Sequence, residues 1–224
     1  MLRRLAVVLA VIISALTTTP LLAFSPEADD DVQPPDISPD VAQDPEPEPE
    51  PEKPIFTSKY SATQLALRDT ISFAEGTFSW TTGKPDYTIR FGEHPKRGGS
   101  LDLTKPHPIY ARANGYYVSN ASGAFQFMSP TWIAMWGYNA PMTPDNQDTA
   151  FFKLVRTTGY SFNYSFRAQY YLLSSQWASI PTRSGYSYYG QPSKSVHSLD
   201  NFYQKRYVHY DTALNDQPKE NQLS

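Results

Sequence analysis

The sequence predicts an α+β fold dominated by helix, on three observations. A capped amphipathic run spans Ser61 to Gly76; a stretch from Thr81 to Asn114, rich in Gly, Pro and Tyr, shows only short alternation; and beyond it several helical patterns are separated by loops. With 40% apolar and 18% charged residues, the 224-residue chain has material for one ordinary domain plus appendages. It holds no cysteine, which excludes disulfides, thiol chemistry and Cys-based metal sites.

At the N-terminus, Arg3 and Arg4 precede an uncharged run from Leu5 to Phe24, the pattern of a secretory signal cleaved after Ala23. Residues 1–24 are read as this signal peptide; a retained membrane anchor competes, because the run reaches about 20 residues. Export is expected either way, to the periplasm, cell envelope or extracellular space. Residues 25–54 turn acidic and Pro-rich, with a Pro-Glu alternation from Pro45 to Glu52 that cannot bury a core, and read as a disordered linker. Residues 55–214 form the folded domain and 215–224 a polar tail. The first 54 residues hold 11 of the 22 acidic residues but 3 of the 19 basic ones, so the remainder is formally +5 although the whole chain is −3. A basic exported domain suits an anionic wall polymer, a membrane surface or nucleic acid, and charge alone does not choose among them.

Within the domain, Ser61 and Gln64 have capping-box spacing, Leu67, Ile71 and Ala74 recur on one helical face, and Gly76 supplies the stop. Tyr87 to Phe91 alternates as a short strand among turns. Residues 92–114, with Gly98-Gly99, Pro106 and Pro108, read as an irregular loop with room for a second strand. Residues 119–128 read as helical, with Phe127 continuing the apolar face. Ser129-Pro130 opens a helix bearing Trp132 and Trp136, and Thr143-Pro144-Asp145 opens another with Ala150, Leu154 and Val155 on its buried side. Arg167 to Ala178 reads as a helix with Ala168, Tyr171, Leu172 and Trp177 inward, stopped by Pro181. After a loop rich in Tyr, Ser and Gly, the last helix runs from about Ser198 to Leu214 on Leu199, Phe202, Tyr203, Tyr207 and Tyr210.

Glu75 is the residue on which chemistry can be built. It falls in the last turn of the first helix, where the carbonyl end of the macrodipole disfavours a negative charge, and Phe73, Phe78 and Trp80 are available to desolvate it. Both influences raise its pKa, and an acid protonated near neutral pH is what glycosidic-bond cleavage requires. Hydrolysis needs a second carboxyl group, for which Asp86 and Glu93 are the candidates. Asp86, at a turn, fits backbone capping better, and Glu93, in a charged loop, fits a solvated position. The four histidines lack metal-ligand spacing, so no metal or other cofactor is expected. Phe and Trp at helical positions are assigned to the core, whereas the loop residues Tyr188 and Tyr189 pair an apolar face with a polar tip suited to sugar.

Several separated pieces, in order, resemble the lysozyme-superfamily lytic transglycosylases typified by the phage lambda endolysin. They are Ala74-Glu75-Gly76-Thr77, Tyr87-Thr88-Ile89-Arg90-Phe91-Gly92, Pro106-His107-Pro108, Ser122-Gly123-Ala124-Phe125-Gln126-Phe127 and Thr131-Trp132. Thr143-Pro144 with Gln147-Asp148, Trp177-Ala178-Ser179-Ile180-Pro181 and Tyr189-Gly190-Gln191 complete the set. The resemblance implies a lysozyme-like domain with a small β region beside a catalytic cleft, and Glu75 as the sole catalytic carboxylate. It implies saccharide contacts from Tyr87, Gln126, Phe127, Tyr189 and Gln191. The loop from Gly92 to Pro106 departs from the family in length, and Lys105-Pro106 replaces an acidic residue before His-Pro.

By the same resemblance, Glu75 protonates the oxygen between N-acetylmuramic acid and N-acetylglucosamine, then removes the proton from the muramyl C6 hydroxyl as it attacks the anomeric carbon. The expected partner is thus a peptidoglycan glycan strand and not nucleic acid, with membrane contact only through an uncleaved N-terminus, and the enzyme acts as a monomer. Two rivals remain: a muramidase hydrolysing the same bond, and an inactive wall-binding module.

Overall fold

A computed structural model of the chain describes residues 58–115, 117–190 and 192–216. The signal and linker readings, Gln191 and nearly all of the polar tail lie outside these residues. The elements run α1 (Ala62–Glu75), β1 (Phe78–Ser79), β2 (Lys84–Pro85), β3 (Arg112–Asn114), β4 (Tyr117–Ser119), α2 (Ser129–Trp136), α3 (Pro144–Thr157), α4 (Phe166–Gln169) and α5 (Val196–Asn215). A single turn of 3-10 helix lies at Pro95–Arg97, and a longer one at Tyr170–Ser175. The strands form two antiparallel pairs, β1 with β2 and β3 with β4, with Phe78 opposite Pro85 and Ala113 opposite Val118. Helix therefore predominates over two small β ribbons, as expected. No helix among the described residues is long and apolar enough to cross a membrane.

Both ends of α1 are fixed by its own sequence. The Ser61 hydroxyl accepts from the Gln64 amide while the Gln64 side chain accepts from the Ser61 amide, and Gly76 closes the helix at φ 76°, a left-handed conformation that favours glycine. Along its length α1 packs on α5. Between them Asp69 is fully buried and accepts from Arg68 (2.9 Å), Arg206 Nε (2.8 Å) and the Tyr210 hydroxyl (2.7 Å). A buried carboxylate is tolerated because each oxygen has a charged or hydroxyl donor, and removing that carboxylate would take the shared counter-charge from two guanidinium groups.

The main core gathers Trp132, Phe151, Phe166, Leu173, Trp177, Ile180 and Leu199 around Phe125, whose ring stacks on Phe151 at 4.5 Å. Ala150 and Val155 of α3 are buried and Leu154 is half-buried, while Leu199, Phe202, Tyr203 and Tyr210 form the inner face of α5, with Tyr207 half-buried.

Three local expectations are corrected. Residues 119–128 are not helical: β4 ends at Ser119, and the amides of Ser122 and Phe127 donate to each other's carbonyls across a tight turn. Gly123 at φ 82° and Gln126 at φ 50° are incompatible with a right-handed helix. Tyr87 to Phe91 is not a strand; only Arg90 pairs, with Ser122, because the Asp86 carboxylate draws both the amide and the hydroxyl of Thr88 into a turn. Arg167 to Ala178 is not one helix either. At Gln169, φ reaches −141°, the chain tightens to 3-10 geometry and the inward set becomes Phe166, Gln169, Leu173 and Trp177. Ala168 is exposed, and Tyr171 and Leu172 are half-buried. Gln169 is buried although polar because its side chain binds the Ser161 amide and the Ser161 and Tyr164 carbonyls.

Candidate active site

Glu75 is the last residue of α1, half-buried, and one carboxylate oxygen accepts the Ser179 hydroxyl at 2.5 Å. Desolvation pushes its pKa up from 4.5 to about 7, against the opposing pull of the Ser179 hydrogen bond and the Lys194 ammonium. The Lys194 amide in turn donates to the Ser179 carbonyl (3.1 Å), so the two groups restraining the acid belong to one folded segment. Burial lowers the pKa of Lys194 while the charge of Glu75 raises it.

The three aromatic residues expected around the acid form one cluster. Phe73, Phe78 and Trp80 gather with Phe202 of α5. The cluster reaches the surroundings of the acid through Lys194, whose ammonium lies over the Phe73 ring, 4.6 Å from its centroid, and acts on Glu75. The polar partners of the carboxyl group are Ser179 and Lys194.

Side chains grip main-chain carbonyls to bring the other pieces to Glu75. The Thr77 hydroxyl, just beyond the helix cap, donates to the Ala124 carbonyl (2.5 Å), and Trp177 Nε1 donates to the Phe125 carbonyl (3.2 Å). Gln147, with no exposed surface, accepts from the Ala124 amide (2.9 Å) and donates to the carbonyls of Met142 (2.7 Å) and Tyr87 (3.2 Å). A Cβ on Gly123 would lie 2.2 Å from the Gln147 oxygen, so this grip requires glycine. His107, also buried, sets Nε2 2.7 Å from the Phe127 carbonyl. The end of α1, the segment 122–127 and the loop after Trp177 are thereby interlocked.

Gln126 is the one non-glycine with positive φ among the described residues. Its side-chain amide donates to the Gly123 carbonyl (2.9 Å) and, more weakly, to that of Ile89 (3.4 Å), which stabilises an otherwise strained backbone and orients the side chain. Phe127 is 3% exposed and packs edge-on against Phe125, so its ring supports the segment from within the core and is closed to a saccharide. The Tyr87 hydroxyl donates to Asp148 (2.7 Å), and Asp148 also pairs with Arg68. Tyr189 is half-buried, donates to the Ser175 carbonyl (2.8 Å) and leans edge-on against the exposed Tyr188.

The alternative carboxylates are engaged elsewhere. Asp86 caps Thr88, as expected. Glu93 is not solvated but organises its loop: it accepts from the Arg90 and Ser100 amides and the Ser100 hydroxyl, and pairs with Arg112. Burial works against its charge, but these donors prevail and hold its pKa down at about 2.

A sequence profile of the family described as endolysin matches residues 65–209, more than half of the chain. The chain belongs to the endolysin family. As an endolysin it is a lysozyme-like glycosidase that degrades peptidoglycan. Among solved structures, this endolysin is similar to the bacteriophage lambda lysozyme complexed with a chitohexasaccharide, at 21% identity and a TM-score of 0.52 over 67% of this chain and 97% of that one. A second structure, the lysozyme from bacteriophage lambda, aligns at 18% identity and a TM-score of 0.47 over 70% of this chain and 97% of that one. At these identities the first likeness establishes the lysozyme-like α+β fold. No curated protein sequence matches this endolysin. The contribution of Ser179 was legible only as part of the Trp177-Ala178-Ser179-Ile180-Pro181 motif, and Lys194 carried no sequence signal.

Proposed function

We propose that this endolysin is a lytic transglycosylase, cleaving the β-1,4 bond between N-acetylmuramic acid and N-acetylglucosamine with Glu75 as both acid and base. The observation that carries the reading is the Glu75 carboxyl group near pKa 7, held by Ser179, while Asp86 and Glu93 are committed to backbone and loop contacts. Glu75 donates its proton to the glycosidic oxygen as the C1–O4 bond breaks. The muramyl C6 hydroxyl then closes on C1, and its proton returns to the Glu75 carboxylate. The product is a 1,6-anhydromuramyl end, no water is consumed, and the acid is regenerated. A group titrating near neutrality suits both halves of that cycle, because efficient acid–base catalysis favours a pKa close to the working pH.

Within this reading the side-chain oxygen of Gln126 and the rings of Tyr188 and Tyr189 contact the saccharide, Tyr87 shapes one wall, and Phe127 supports the segment from behind. The lambda lysozyme of similar fold is complexed with a chitohexasaccharide, which agrees with a groove for β-1,4-linked sugars. Residues 1–24 act as an export signal, a reading tested by N-terminal sequencing of the exported form. Mass spectrometry of muropeptides released from purified sacculi tests the reaction itself. Anhydromuramyl ends throughout are expected, whereas reducing muramic acid ends would make the enzyme a muramidase. A wall-binding module without activity is ruled out once wild type clears sacculi and Glu75→Gln does not.

A further inference from the structure

A groove of about 530 Å³ opens between the β1–β2 hairpin and α5. The proposed cleavage does not use it. Its apolar wall is made by Phe73, Phe78, Trp80 and Phe202, with Phe73 stacked on Phe202 at 4.3 Å. Trp80 meets the other three rings edge-on at 6.0, 5.3 and 5.7 Å, an arrangement that fixes its orientation, yet it remains 69% exposed. Exposure of one ring alone is ordinary, but here it belongs to the apolar wall of a concave groove, which is the form of a binding surface.

We propose that this groove is a second binding site for the wall polymer, holding a carboxylate-bearing stretch of glycan apart from the bond being cut. Three features select that ligand. Sugar rings combine an apolar C–H face with a hydroxyl rim, and here a fixed aromatic wall stands beside Ser198, Asn201 and His197 on the first turns of α5. Among the described residues that line the groove none is acidic, whereas Lys205 and Arg206 are present. Arg206 is committed to Asp69 and the Gly83 carbonyl, and the Lys194 ammonium over Phe73 is drawn to Glu75, so exposed Lys205 is the cation for a lactyl or stem-peptide carboxylate. The surface is also concave with one strongly exposed ring, a shape that receives a chain and inserts poorly into a lipid interface.

The inference rests on peptidoglycan being the substrate polymer, which family membership supplies, and not on the product that Glu75 makes. Its test uses the full chain carrying Glu75→Gln, so that sacculi are not digested, and cosedimentation with purified sacculi. Adding Trp80→Ala or Lys205→Glu should each weaken binding about tenfold, the scale of one lost aromatic or charged anchor, with the protein still folded at the assay temperature by circular dichroism. With Glu75 restored, Trp80→Ala should solubilise sacculi more slowly yet cleave short soluble glycan chains at the wild-type rate. Undiminished sacculus binding in both variants overturns the proposal, as does an equal loss of cleavage on soluble chains. Binding to phosphatidylglycerol vesicles that requires Trp80, with sacculus binding intact, overturns it in favour of a lipid surface. Reducing ends in the released muropeptides would sink the transglycosylase reading while leaving these binding results standing.

Discussion

Replacing Glu75 by glutamine should abolish cleavage and, at the same time, make the protein more stable at alkaline pH. The side chain has an ordinary pKa of 4.5 in the unfolded chain and about 7 in the fold. Below about pH 4.5 the acid is protonated in both states, and wild type and Glu75→Gln should unfold alike. Between 4.5 and 7 the unfolded chain releases a proton that the folded chain retains, so wild-type stability falls as pH rises through this window. Above about pH 7 the full penalty is present, about 3 kcal/mol at most. Glutamine resembles the protonated acid, can still accept from Ser179, and escapes the penalty. The variant should therefore melt roughly 5–10 °C above wild type at pH 8 and within a degree or so of it at pH 4. Thermal unfolding of both proteins across pH 4 to 9 measures the difference. A gap that does not change with pH would refute a desolvated Glu75, and with it the argument that this carboxyl group serves as a proton donor near neutrality.

Three further outcomes are expected. Ser179→Ala removes a hydrogen bond that favours the carboxylate, so the alkaline limb of the kcat/KM profile should move to higher pH with a rate loss of about tenfold; an unmoved limb would dissociate Ser179 from the acid. Gly123→Ala places a Cβ against the Gln147 oxygen at a positive φ, and urea unfolding should register a loss of about 2–4 kcal/mol. Asp69→Asn leaves Arg68 and Arg206 facing each other without their shared carboxylate and should lower stability by about 3–5 kcal/mol; a near-neutral result would mean that water reaches the α1–α5 contact.

Much of the frame was legible because its signals are local. The Ser61–Gln64 box and Gly76 bound α1 within a residue, and the cap-then-proline pairs placed the starts of α2 and α3. Glu75 was legible for the same reason, since its position beside a glycine stop is written in adjacent residues. The misread stretches are those in which a distant partner overrides local propensity. Segment 119–128 has helix-compatible composition, yet Thr77, Gln147 and Trp177 seize its carbonyl and amide groups from three other places in the chain. Ser179 lies 104 positions from Glu75, and no periodicity could relate them. Asp69 carries no local signal of its role, because Arg206 and Tyr210, which hold its carboxylate, come from the opposite end of the domain.

The two sides of the acid are anchored unequally. Helix α1 is pinned by its caps and by Asp69, whereas Ser179 and Lys194 sit in the long connection between Trp177 and α5. Because both restraining groups come from that one connection, a change in its packing would alter the hydrogen bond and the charge at the carboxyl group together, and with them the pH at which the group gives up its proton.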